Sequence, residues 1–176
     1  MRNRDKERAK AIIVEIIRQA GGRFRNKTNL FKAFWRAHVA YAESHLTPLS
    51  DWPIVRMPMG PGIDRFDALL GELLLDGAVE VEQVQHGDFV GFVFHLLPGA
   101  PESLTPDEIE AVKIGVAAVD GKPANQVSDD SHDHSRSWQL AKDGEELDVF
   151  LDVIPEEEYR EREQRLYDML SVLEPA

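Results

Sequence analysis

The chain of 176 residues contains no cysteine. That removes disulfides, thiol nucleophiles, thiolate-bound zinc and iron–sulfur clusters from consideration, and it suits a reducing compartment. No apolar run approaches the ~20 residues that a membrane span requires. The first eight residues, Met1 to Arg8, are mostly charged, and Ile12 to Ile17 is too short and too interrupted for a signal core. A soluble cytoplasmic protein is therefore expected. Nucleotide-binding glycine signatures are missing, as are Gly-x-Ser-x-Gly and His-Glu-x-x-His, so nucleotide binding and the commoner hydrolase chemistries lose support. There are no internal repeats, useful heptads or low-complexity tracts.

Hydrophobic residues make up 43% of the chain, enough for a real core at this length. The net charge of −12 conceals an asymmetry. Residues 1–36 carry 11 Lys/Arg against 3 Asp/Glu, and residues 37–176 carry 9 against 29. The acidic bulk would repel a phosphate backbone. The basic head could contact nucleic acid, an acidic face of its own chain, or one on a partner; a solvated basic helix is the plainer reading.

Periodicity places a first helix over Lys6 to Ala20, with Ile12, Ile13, Ile16 and Ile17 inward and Gly21-Gly22 at its end. A second helix starts near Asn26 or Asn29, and Leu30, Phe31, Phe34, Trp35, His38, Val39 and Tyr41 make it apolar around much of its girth. Thr47 to Pro53 reads as a loop. A short β-prone run at Ile54-Val55-Arg56 meets the Pro/Gly turn Met57 to Gly62. Behind it, Ile63, Phe66, Leu69, Leu70, Leu73 and Leu74 predict an amphipathic helix stopped by Gly77. Alternation at Val79-Val81 and Val90-Phe92-Phe94-Leu96, around a turn at Gln85 to Asp88, predicts a hairpin. Thr105-Pro106-Asp107-Glu108 opens another helix, with Ile109, Val112, Val116 and Val119 inward and Gly121 at its end. Lys122 to Ser137 is polar, with at most a short helix at Pro123–Val127. Leu147, Val149 and Leu151 suggest a late edge strand. Pro155 and three glutamates open a final helix striped by Tyr159, Leu166, Met169, Leu170 and Leu173. The expected fold is α+β: one mainly helical domain over residues 1–154 with a small antiparallel sheet, a winged-helix-like order of elements in its first half, and residues 155–176 as a C-terminal helix packed upon it.

Asn29 to Trp35, then Leu49, Met57-Pro58-Met59-Gly60-Pro61, Leu70 to Leu74, Gly77, the hairpin, Leu104-Thr105-Pro106-Asp107-Glu108, and Ser131-His132 with Trp138 form an ordered series. The series resembles the Panacea domain over roughly Ala11 to Val153. Met59 departs from it, standing where that family prefers tyrosine. The resemblance implies a bacterial antitoxin-like protein, not an enzyme. Such a protein neutralises a toxin encoded nearby by binding it directly, with an AAA+ protease as a further partner, no cofactor, and no catalytic residue. Trp52, Met57, Pro58, Met59, Gly60, Pro61 and Ile63, joined by His132 and Trp138, are the expected protein-binding residues. Methionine is adaptable and suits a surface that accepts irregular partners; the same residues could instead pack the turn against the second helix.

Other candidates are bland. Asp129-Asp130-Ser131-His132-Asp133-His134 has metal-ligand residue types, with His132 and His134 as candidates, but no partner motif; a solvated polar loop is the competing reading. His38 reads as a hydrogen-bonded core histidine. His86 reads as turn-exposed, His95 as lying on the outer hairpin face, and His45 as closing the second helix. A winged-helix-like DNA-binding regulator is the alternative function. Its third helix would carry Asp64, Asp67, Glu72 and Asp76 against Arg65 alone, so nucleic acid is disfavoured there. The last helix could bury its stripe in cis or in a homodimer.

Overall fold

The computed structural model describes residues 3–87 and 89–173, those at 3, 4, 86, 89, 156 and 171–173 by their backbone alone. The expectations for the side chains of His86 and Leu173, and for Asp88, lie outside the described residues.

Helix α1 runs Asn3–Gln19. Ile12, Ile13, Ile16 and Ile17 are fully buried on its inner face. Gly21 and Gly22 then adopt φ of 79° and 83°, and the Gly22 N–H returns to the Ile17 carbonyl at 2.9 Å, the left-handed helix stop that glycine accommodates without a Cβ penalty. Strand β1 (Arg23–Arg25) leads into helix α2 (Lys27–His45). The Asn26 side chain accepts the Thr28 N–H at 2.8 Å and caps it. Every residue from Asn29 to Trp35 is buried, which accounts for the apolar girth: α2 lies at the centre of the core.

Strands β2 (Ile54–Met57) and β3 (Gly60–Ile63) form a separate two-stranded hairpin, pairing Ile54 with Ile63 and Met57 with Gly60. The predicted helix start at Ile63 is thus corrected. Ile63 is in a strand, and helix α3 occupies Phe66–Leu75. Glycine on both sides of Pro61 weakens any helix there, and the antiparallel pairing satisfies the backbone instead. Gly77, at φ 66°, follows the helix as expected.

Strands β4 (Val79–His86) and β5 (Phe89–Leu96) make the predicted hairpin in an unbroken register from Val79↔Leu96 to His86↔Phe89. β1 adds to the other edge of β5 through Phe24↔Phe94, giving the order β1–β5–β4. A three-residue strand carries too little alternation to be read from sequence.

Helix α4 (Pro106–Val119) starts with the predicted box, the Thr105 N–H donating to Glu108 Oε2 at 2.7 Å. Its inner face is Glu108, Ala111, Val112, Gly115 and Val119. Two expectations fail after it. The polar stretch is two helices, α5 (Ala124–His134) and α6 (Arg136–Leu140). The late strand is a single bridge, Val55↔Glu146, followed by the short helix α7 (Phe150–Val153). Helix α5 escapes an apolar-period search because its buried face is Val127, Ser128 and Ser131; small hydroxyls that bond backbone carbonyls replace hydrocarbon there. The final helix α8 spans Glu156–Leu173.

α2 and α4 make the most extensive helix–helix contact. Gly115 permits it: a Cβ at this position would run into the Ala33 carbonyl oxygen and come within 3.0 Å of the Ala37 nitrogen. Both neighbours are backbone, so relief requires separating the two helices. Gly115→Ala should therefore destabilise the fold by about 1–3 kcal/mol despite its better helix propensity; urea denaturation measures it, and a stabilised variant would refute the close packing.

Candidate functional site

The β2–β3 hairpin is clasped from behind. Lys32 projects from α2, and its Nζ donates to the Pro61 carbonyl at 2.9 Å. From α5, Ser128 Oγ donates to the Met59 carbonyl at 2.9 Å, and Ser131 Oγ donates to the Ser128 carbonyl at 2.7 Å. Gly60, at φ 97°, sits where a Cβ would meet Ser131 Oγ and the Lys32 tip; only glycine fits. From α6, Trp138 Nε1 donates to the Met57 carbonyl at 2.9 Å. The Arg56 guanidinium lies 4.0 Å from the centre of the Trp138 ring, and His132 stacks on that ring with centroids 4.0 Å apart and planes at 13°.

This clasp overturns much of the expected binding patch. Trp52, Gly60, Pro61 and Ile63 are buried. Trp52 Nε1 donates to the Asp64 carbonyl at 2.8 Å, so the indole is a core element. Met57 folds over Gly62 and is half-buried, as are His132 and Trp138. Pro58 and Met59 alone of the expected residues stand exposed, at the hairpin tip. The reason is that the hairpin's edges face protein, so its carbonyls at Met57, Met59 and Pro61 are answered from within by Trp138, Ser128 and Lys32, which cover it. His132 and His134 diverge. His134 is exposed, its Nδ1–H donating to the Asp130 carbonyl at 2.8 Å, while His132 Nε2 is buried with no hydrogen-bond partner. Among the described residues, no group of three or more His, Asp or Glu could hold a metal ion.

His38 matches its expected role. Its Nδ1–H donates to the Phe34 carbonyl at 2.8 Å, leaving Nε2 to accept the Ser50 hydroxyl at 2.8 Å. Burial drives its pKa down to about 4. His95 is half-buried and bonds Glu82 at 3.0 Å. His45 stacks flat on Tyr41 at the end of α2.

Four cations of the basic head, all on α1, are paired inside the chain. Lys6 meets Glu72 at 2.8 Å, a hydrogen bond that holds the Glu72 carboxyl below its usual range. Lys10 meets Asp76 at 2.6 Å, Arg8 pairs with Glu108, and Arg18 pairs with Glu15. Charge asymmetry along the sequence is thus internal complementarity between α1 and α3 and α4.

Two features went unread in the sequence. Asp152 collects the Trp35 Nε1–H at 2.9 Å, the Ser137 N–H at 2.9 Å and the Ser137 hydroxyl at 2.6 Å, tying α7 and α6 to α2. The second is Lys32 itself, 2% exposed. Its neighbours one helical turn away are Thr28 and Arg36, neither acidic, and that was the available signal. Burial with no countercharge pushes its amine down to about 7.

Helix α8 is the other exposed candidate. Leu166, Tyr167, Met169 and Leu170 are 57%, 67%, 65% and 51% exposed, so the expectation that it packs on the domain through this stripe is not met. Among the described side chains of α8, Tyr159 is the half-buried one, beneath the Arg136 guanidinium at 3.7 Å. Among the described residues, no helix is long and apolar enough to cross a membrane.

No protein-family model, curated protein or solved structure matches this chain.

Between pH 7 and 10.5 the unfolded chain retains the Lys32 proton that the folded chain has released, so the native state gains stability as pH rises through that window and pays the burial cost below it. The melting temperature of the native chain relative to Lys32→Met should therefore climb between pH 6.5 and 9.5. A pH-independent difference would show that the amine is not desolvated.

Proposed function

We propose that this chain is a cytoplasmic protein-binding module of the antitoxin type, which neutralises a partner toxin by direct binding and presents α8 as its recognition element. The observation that carries the reading is the uncovered stripe of Leu166, Tyr167, Met169 and Leu170. Contiguous apolar surface on a folded chain marks an interaction site. An amphipathic helix is the standard insert for an apolar groove. In the N-terminal half of α8, Arg162 pairs with Glu158 and Arg165 with Glu161 at (i, i+4) spacing. Those pairs stiffen the helix and leave its C-terminal half to supply the hydrocarbon, so the fitting partner offers an apolar groove. The resemblance to the Panacea domain supports the same class of function from other residues, since it ends near Val153, before α8. An AAA+ protease remains the further partner that this resemblance suggests.

A DNA-binding reading is favoured by one specific feature: α1–β1–α2–β2–β3–α3–β4–β5, with sheet order β1–β5–β4, is winged-helix-like once the β2–β3 hairpin is taken as an insertion between α2 and α3. The chemistry opposes it. The outward residues of α3 include Asp67, Leu74 and Leu75, with Asp76 at its C-terminal cap and Arg65 at its N-terminal cap as the one guanidinium, a poor face for reading base edges. Lys6, Arg8, Lys10 and Arg18 are already paired with carboxylates.

Co-expression with the toxic product of an adjoining gene tests the proposal. The native chain should restore growth and co-purify with the toxin, and the double variant Leu166→Asp/Leu170→Asp should do neither while melting within about 1 °C of the native protein, because both positions are solvent-facing. Rescue by the folded double variant would remove α8 from the interface, and failure of the native chain to rescue growth from any linked toxic protein would remove the antitoxin reading.

A further inference from the structure

A cavity of ~340 Å³ opens between α2, the C-terminal end of α4 and α5, lined by Lys32, Trp35, Arg36, Lys122, Asp130 and Ser131 among others. Its size falls in the range of small-molecule sites. Its charge is out of keeping with the rest of the molecule. The chain carries −12 overall, and in α1 Lys6, Arg8, Lys10 and Arg18 each meet a carboxylate. Here three cations face one acid. Asp130 is engaged by Lys122 at 3.2 Å. Lys32 is 2% exposed, and among the described residues its hydrogen bond goes to a neutral carbonyl, that of Pro61. Arg36 rests on the Trp35 ring, 5.4 Å from its centre, and forms no hydrogen bond or ion pair among the described residues.

A buried ammonium without a countercharge is costly. A protein can relieve that cost by releasing the proton, or by admitting an anion. Lys32 supplies the point charge at depth. Arg36 adds a planar fork that suits bidentate recognition of a carboxylate. The rest of the lining is Ala118, Val119, Val127 and the Trp35 ring, with the exposed His134 at the edge, its Nδ1–H held by the Asp130 carbonyl. An anionic head with a flat hydrocarbon body satisfies both parts of this surface. We infer that the cavity between α2, α4 and α5 is a binding site for a small aromatic carboxylate, its carboxylate held by Lys32 and Arg36 and its ring against Trp35, Val119 and Val127. This site is separate from the α8 stripe and does not depend on the antitoxin reading.

Benzoate and its uncharged isostere benzamide test the assignment on the full-length protein, by titration followed through backbone amide shifts. Benzoate should perturb the amides of Ala118, Val119 and Val127, and benzamide should bind about tenfold more weakly or worse, as expected for loss of a charge-assisted pair. Lys32→Met should abolish benzoate binding. Because that change also removes the bond to Pro61 and could disturb the fold, Arg36→Gln serves as the second variant; its position is partly exposed, and it should weaken benzoate about tenfold with an unchanged melting temperature. Absence of benzoate binding at millimolar concentration, equal binding of benzamide, shifts confined to other regions, or unaltered affinity in Arg36→Gln would each overturn the inference.

Discussion

The fold turns on a stretch of helix with no solvent side. From Asn29 to Trp35, α2 is enclosed at every position, so its polar residues must find partners inside the protein or bear the cost of having none. That constraint organises what surrounds it. Trp35 recruits Asp152, and through Asp152 the hydroxyls of Ser135 and Ser137, which fixes α6 and α7. His38 recruits Ser50 and orders the loop that follows α2. Lys32 recruits the Pro61 carbonyl and with it the β2–β3 hairpin. Asn29 reaches Lys122 at 3.0 Å with its amide while its Oδ1 is left without a partner. The irregular second half of the chain is therefore not an appendage to a helical core. It supplies Asp152 and the Lys122 carbonyl, which with Ser50 and Pro61 nearer α2 are the partners that a buried, polar-bearing helix demands.

Sequence and structure agree where a single physical rule dominates. The isoleucines of α1, the Asn26 cap, the Gly77 stop and the β4–β5 alternation each follow from burial or backbone geometry within a few residues, and each is present. Agreement fails where the deciding contact is distant in sequence. Nothing between Pro58 and Ile63 announces that Lys32 and Ser131 will close over Gly60. The Pro/Gly segment consequently leaves two readings open, a binding surface or a turn packed against α2, and the second is what most of it does. α5 fails for a related reason. Its buried face is serine, and a periodicity search looks for hydrocarbon. The late segment around Leu147 was half legible: the extended backbone is there, with the Leu147 N–H donating to the Ile54 carbonyl at 2.7 Å, but the helical turn of α7 follows at once.

The burial of the bend moves the functional question elsewhere. A patch centred on Trp52, Pro61 and Ile63 would require the hairpin to leave its clasp, breaking the Lys32, Ser128 and Trp138 bonds together. At roughly 1 kcal/mol net for each neutral bond, plus the cost of orphaned buried groups, such opening would consume a large part of the stability typical of a domain this size. Pro58 and Met59 at the tip are too small a surface to hold a partner alone. What stands exposed without any such cost is α8, whose four apolar residues face solvent as the chain is folded.

The same reasoning separates the two winged-helix possibilities. Topology places α3 where a nucleic-acid reader would sit, but topology carries no charge. α1 answers the carboxylates of α3 directly, Lys6 to Glu72 and Lys10 to Asp76, so the basic and acidic segments cancel across a helix pair. To present α1 to a phosphate backbone, the chain would have to break these pairs and leave the acids of α3 uncompensated beside the ligand. Electrostatic attraction to nucleic acid depends on cations free to release counterions, and α1 has engaged Lys6, Arg8, Lys10 and Arg18 already. Against that background the Lys32–Arg36 cavity is the exception: Lys32 holds the β2–β3 hairpin through a neutral carbonyl, and Arg36 forms no hydrogen bond or ion pair among the described residues, so neither cation meets the carboxylate that the cations of α1 find.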